Sequence, residues 1–258
     1  MTTMFTTRRR WTALAITCAL TLAASSGHPV SAQDALPKAT DLLAKYVAAI
    51  GGADAIKAIK SIHARGTFEM PAQNITGSVE MFQARPSMMR MTIDIQGIGQ
   101  ADQASDGKIA WSVDPMSGPS LLAGKALADA RSEALFDGQL FGPDFVKEAT
   151  TLEKTKYGVR PAYKIKVLTT FDTERTIYID AESFLMLGTE SISETPMGPM
   201  PTTQSTGDYK KFGALLQPTT LVQTAMGFDQ IVRITSVEFD TVPASAFEPP
   251  PAVKALIK

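Results

Sequence analysis

From residue 61 to residue 240 the chain alternates apolar and polar side chains with a period of two, in runs that recur at roughly ten-residue intervals. Ile62, Ala64, Gly66, Phe68 and Met70 alternate with His63, Arg65, Thr67 and Glu69. The pattern returns over 78–85 and 88–96, weakens over 99–106, and resumes over 108–114 after the hairpin signal Asp106-Gly107. Further strands are expected at 150–157, 160–169, 173–180, 184–195, 202–212, 217–226 and 228–240, with turn residues at Tyr157-Gly158, 180–183 and Gly227. Such spacing specifies an antiparallel meander.

Only two stretches change period. Over 37–60, Leu42, Leu43, Tyr46, Val47 and Ile50 follow helical spacing; Gly51-Gly52 stops this helix, and a short second one runs from Ala53 to Lys60. Residues 125–137 are again helical in composition and end at Gly138. The expected fold is α+β and mainly antiparallel β: one strongly curved, unclosed sheet with helices on its concave side.

The first residues read differently. Arg8, Arg9 and Arg10 precede an apolar run from Trp11 to Ala24 that is too short to span a bilayer, and Val30-Ser31-Ala32 fits a small-residue cleavage site. Residues 1–32 are therefore expected to be a cleaved export signal, leaving 33–258 as a single domain in the periplasm. The whole chain carries 25 basic and 26 acidic side chains, two His and one Cys. The leader takes three Arg, no acid, His28 and Cys18, so the remainder has 22 bases against 26 acids, a net charge of −4, one His and no Cys. That balance argues against nucleic acid as a partner. It also removes disulfides, thiolate nucleophiles and Cys/His metal clusters, so no metal or other cofactor is expected.

The remaining motifs have plain readings. Ser105-Asp-Gly-Lys108 matches S-x-x-K, but a hairpin turn between Ser and Lys does not make the helical turn that motif needs. Gly97-Ile-Gly99 lacks the third glycine of a dinucleotide loop. His63 is expected on the polar side of its strand, and Asp106, Asp180, Glu182 and Asp208 as solvated acids in turns. Methionine is the unusual count. Twelve occur, and five fall at 70, 81, 88, 89 and 91. They read either as ordinary sheet core or as an adaptable apolar surface, because unbranched thioethers re-pack around irregular partners. Met197-Gly-Pro-Met200 is an M-x-x-M pair of the kind thioether copper binding would use, as is Met88-Met-Arg-Met91.

Several segments resemble bacterial outer-membrane lipoprotein-sorting proteins of the LolA/LolB type. They are Ala49-Ile-Gly-Gly-Ala-Asp-Ala-Ile56, Gly66-Thr-Phe-Glu69, Gly77-Ser-Val-Glu-Met-Phe82, Ser105-Asp-Gly-Lys-Ile-Ala-Trp-Ser-Val-Asp-Pro115, Tyr178-Ile-Asp-Ala-Glu182, Gly207-Asp-Tyr209 and Leu216-Gln-Pro218. The resemblance implies a β-half-barrel whose apolar concave face is covered by helices and holds lipoprotein acyl chains without catalysis. Phe68, Met70, Val79, Met81, Met89, Met91, Ile93, Ile95 and Trp111 are the residues expected to line it, subject to strand parity, since a slip of one residue exchanges the faces. Lipid or lipoprotein acyl chains, with envelope membrane proteins, are the expected partners. The alternatives are an interaction or scaffold module with a filled core, and a hydrolase, which requires three acids converging in a polar cleft.

Overall fold

The computed structural model describes residues 35–195 and 198–257, so the leader expected over 1–32, its cut after Ala32, and Met197 lie outside the described residues. Helices α1 (Ala39–Ala49) and α2 (Ala53–Ala58) come first, separated by Gly51-Gly52. Strands β1 (Ser61–Met70), β2 (Ile75–Ala84), β3 (Met88–Ile95), β4 (Gly99–Ser105), β5 (Ala110–Asp114) and β6 (Gly118–Leu121) follow. Helix α3 (Gly124–Ala134) leads into β7 (Val146–Tyr157), β8 (Arg160–Thr169), β9 (Glu174–Asp180), β10 (Met186–Thr195) and β11 (Gly198–Gly207). The chain ends with β12 (Lys210–Phe212), β13 (Leu215–Gln217), β14 (Thr220–Ala225), β15 (Phe228–Phe239) and the short helix α4 (Pro251–Lys254).

These elements follow the alternation closely. One expected strand, 202–212, is divided because Asp208 adopts a positive φ of 51°. β11 therefore stops at Gly207, and β12 pairs with β13 as a separate two-stranded sheet. β6 escapes the pattern because Gly118-Pro119 carries turn residues into a short edge strand. Among the described residues, no helix is long and apolar enough to cross a membrane.

Thirteen strands make one antiparallel sheet in the order β6-β5-β4-β3-β2-β1-β15-β14-β11-β10-β9-β8-β7. It consists of two meanders, β1 to β6 and β7 to β15, joined where β15 pairs with β1 in the middle. The sheet is not closed: β6 and β7 are its edges. α3 joins those two edges in sequence and contacts β3, β4 and β5 as well as β10. β4 and β10 are seven ladder steps apart, about 33 Å in a flat sheet, whereas a helix is about 10 Å across. One helix touches both only because the sheet curls around it.

The curl passes through tight points on β1 and β2. The β1–β15 register slips between Arg65 and Gly66, and a Cβ on Gly66 would overlap the carbonyl oxygen of Arg233. A Cβ on Gly77 would likewise overlap the carbonyl oxygen of Asp94 in β3. Glycine at these positions lets backbones approach on the inside of the bend.

Among the described residues, three apolar clusters make the core, one of them Ala162, Tyr178 and Leu187 of β8, β9 and β10. α1 buries Leu42, Leu43, Tyr46, Val47 and Ile50, the residues of its helical pattern, against Ile165 and Val167 of β8 and Ile177 and Ile179 of β9. At the other end of the sheet, Trp111 is fully buried with Ala104 and with Val253 of α4. Beside it Asp102, 5% exposed, accepts hydrogen bonds from Arg90 Nε (2.7 Å), Thr92 Oγ1 (3.2 Å) and Trp111 Nε1 (3.1 Å). Arg90 also donates to the carbonyl of Ala246, which pins the C-terminal segment.

Two polar residues depart from expectation. His63 is buried rather than superficial: it stacks on Phe82 at 4.4 Å and meets Glu80 at 2.7 Å. Asp180 is buried rather than solvated, because its turn folds back on it. The carboxylate accepts from the Glu182 N–H, the Ser183 N–H and hydroxyl, and Arg160. Burial pushes its carboxyl up, but the Ser183 and Glu182 donors and Arg160 outweigh this and hold it below the usual carboxylate range.

Asp102→Ala leaves a guanidinium and an indole N–H without their acceptor, and is expected to cost about 3 kcal/mol in urea unfolding; Asp102→Asn is expected to cost less. Gly66→Ala forces backbone apart and is expected to cost at least about 2 kcal/mol. A Gly66→Ala midpoint equal to that of the parent would refute the tight seam.

Candidate functional site

Curling the sheet brings its two halves face to face around a cavity of about 480 Å³, within the usual range for small-molecule sites. The near wall is apolar. Phe68 from β1, Met81 from β2, and Met89, Met91 and Ile93 from β3 line it. Met81 and Met91 are directly opposed across the β2–β3 ladder, and Val232 of β15 stands opposite Phe68. Alternation in these strands points the thioethers inward together.

Five of the nine residues expected here thus meet in one place. Val79 shares their phase but is buried between the partner positions Gly66 and Ile93, short of the cavity wall. Met70 and Ile95 lie half-buried near strand ends, outside the cavity. Trp111 faces the other way. It pairs with Ala104, one residue out of phase with the cavity-lining Gln103, so it belongs to the core under α4.

The far wall is polar. Thr189 and Ser191 of β10, Thr202 and Gln204 of β11, Gln223 of β14 and Gln230 of β15 face the same cavity. Sequence reasoning concentrated on methionine and passed over them. The signal was nevertheless present: Gln223 is in phase with Leu221, and Gln230 with Val232 and Ile234, so a polar residue recurs on an apolar face.

A charged group stands at one end. α3 presents Asp129 and Glu133, four residues apart and so on one helical stripe, and β9 presents Glu174 and Arg175. Asp129 is engaged by Lys125 at 2.8 Å and Glu174 by Lys166 at 2.7 Å. Arg175 donates to Ser132 Oγ at 3.0 Å and lies over the Phe145 ring. Glu133 is exposed along the cavity wall, yet protein surrounds it on several sides, and the resulting desolvation raises its carboxyl above the usual range; Arg175 offsets part of the rise and Asp129 adds to it. Burial likewise lowers Arg175, against the pull of Glu133 and Asp129. Among the described residues, no three His, Cys, Asp or Glu side chains are grouped closely enough to hold a metal ion.

Similar folds are found among known structures. The chain aligns over 83% of its length with 99% of a LolA superfamily protein from Nitrosomonas europaea, at a TM-score of 0.55 and 12% identity. The fold is LolA-like. An outer-membrane lipoprotein-sorting protein domain from Vibrio parahaemolyticus is also similar, with 81% of this chain on 95% of that one, a TM-score of 0.51 and 11% identity. So is a DUF1329 family protein from Desulfovibrio piger, with 83% on 98%, 0.56 and 8%. No family model and no curated protein sequence matches the chain. The LolA-like fold is therefore shared at 8–12% sequence identity.

The raised Glu133 carboxyl gives a stability prediction. Folding tightens its hold on the proton, so its cost is absent in acid and appears as pH rises through the folded value. Glu133→Gln is expected to raise the thermal midpoint at pH 8, with the gain fading to nothing below about pH 4, where unfolded glutamate is itself protonated. A midpoint at pH 8 no higher than the parent's would contradict this placement.

Proposed function

We propose that the protein is a periplasmic, non-enzymatic binder of lipid or lipoprotein acyl chains. The observation that carries this reading is the apolar wall of Phe68, Met81, Met89, Met91 and Ile93 around a cavity open enough to admit a ligand. Each methylene buried there contributes roughly 0.8 kcal/mol, and flexible thioethers accept chains of different length. The LolA-type fold, shared with an outer-membrane lipoprotein-sorting domain, supports the same reading. In this scheme the helices cover the concave face, α3 is the movable cover, and residues 1–32 export the chain.

The cavity favours a binder over a filled-core scaffold, because core residues are displaced to its two ends. The hydrolase alternative is disfavoured because two of the three bordering acids, Asp129 and Glu174, are already paired with lysines.

Protein purified from the periplasm is expected to release lipid on solvent extraction, and to bind the neutral apolar dye N-phenyl-1-naphthylamine. Met91→Trp fills the space opposite Met81 and is expected to weaken dye binding at least tenfold, an effect of about 1.4 kcal/mol, without loss of the fold. Absence of both extractable lipid and dye binding would rule the proposal out.

A further inference from the structure

The polar wall contains an ordered array. Thr189, Gln204, Gln223 and Gln230 sit directly opposite one another on the adjacent strands β10, β11, β14 and β15, and all four line the cavity. Cross-strand neighbours stand about 5 Å apart, so the row runs about 15 Å across the strands. Each amide carries two N–H donors and a carbonyl acceptor. Among the described residues, none of the three glutamine side chains hydrogen-bonds to protein. The fold leaves this capacity unused while placing it opposite the methionine wall.

An entirely apolar occupant would displace water from these amides and leave them unpaired, which opposes binding. A bound molecule therefore has hydrogen-bonding groups on the side facing the row. Charge narrows its chemistry. Lys125 and Lys166 neutralise two of the three carboxylates that border the cavity, and the third, Glu133, faces Arg175, which already donates to Ser132, so the rim offers no net charge. A phosphate or carboxylate head finds no net attraction there to offset the loss of its hydration, and the row itself carries no charge for an ionised head of either sign.

We infer that the site takes an amphiphile with an uncharged, multiply hydrogen-bonding head, the chain lying on Met81, Met91 and Phe68 and the head along Gln204, Gln223 and Gln230. This rests on the acyl-binding reading above and names the ligand class. Two sources share the chemistry: a hydroxylated glycerol or sugar head, and the amide groups of an N-acylated peptide.

The test is displacement of N-phenyl-1-naphthylamine by monolaurin, by N-lauroylglycinamide and by lauroyl lysophosphatidylglycerol, three probes with one chain length. The two neutral heads are expected to compete at roughly tenfold lower concentration than the anionic one, with monolaurin ahead for a hydroxylated ligand and the glycinamide ahead for an acylated peptide. Gln223→Leu is expected to abolish that advantage and, because it removes an amide that an apolar occupant leaves unpaired, to hold the dye at least as tightly as the parent does. Gln204→Leu serves as the independent variant and is expected to do the same. Equal or better competition by the anionic probe, or Leu variants that keep the neutral preference, overturns the inference and leaves the acyl-binding reading intact. A parent protein that neither releases lipid on extraction nor binds the dye overturns both.

Discussion

The close approach of β1 and β15 at Gly66 is the constraint on which the rest of the molecule depends. Two meanders, each with its own alternation, become one sheet only through that seam, and the seam is also part of the bend. With a side chain at Gly66 the backbones would have to separate by the width of a methyl group on the inside of the curve. A flatter sheet would move β9 and β10 away from β3 and β4. The cavity would then become two unrelated surfaces: a methionine patch exposed to water, and a polar face of no distinct character.

Curvature also explains why core and cavity coexist on one sheet. The apolar cluster around α1 lies on Ile177 and Ile179, and the same alternation places Thr173 and Arg175 at the cavity. Along β9 the inward residues thus pass from filled core to charged rim. The Asp102 cluster under α4 is served by the opposite phase of β3 to β5, so it anchors Trp111 without taking space from the methionines. Inward and outward residues carry different duties within the same strands, which a period of two permits.

Much of this architecture is legible in the sequence because period-two alternation is a local signal. The strand bounds and the helical breaks follow from it, as do the β4–β5 hairpin at Asp106-Gly107 and the inward phase of Met81, Met91 and Phe68. Trp111 was not legible, because its phase depends on a hairpin register that reverses which residues of β5 look inward. His63 and Asp180 were not legible either: their burial comes from Phe82 and from the Ser183 turn, which local polarity does not report. The glutamine row was hidden for a different reason. Its members are remote in sequence, and only the pairing of four strands makes them consecutive.

α3 has a mechanical consequence that follows from connectivity alone. The helix is part of the covalent link between β6 and β7, the two free margins of the open sheet, and it contacts β3, β4 and β5 of one meander and β10 of the other. It is a strap fastened at both ends rather than a flap hinged at one. It has no free end to swing on, so lifting it draws on both margins together, and any spreading of the margins tightens it. The separation of the margins and the position of the helix are one coordinate, set by the length of chain between Leu121 and Val146.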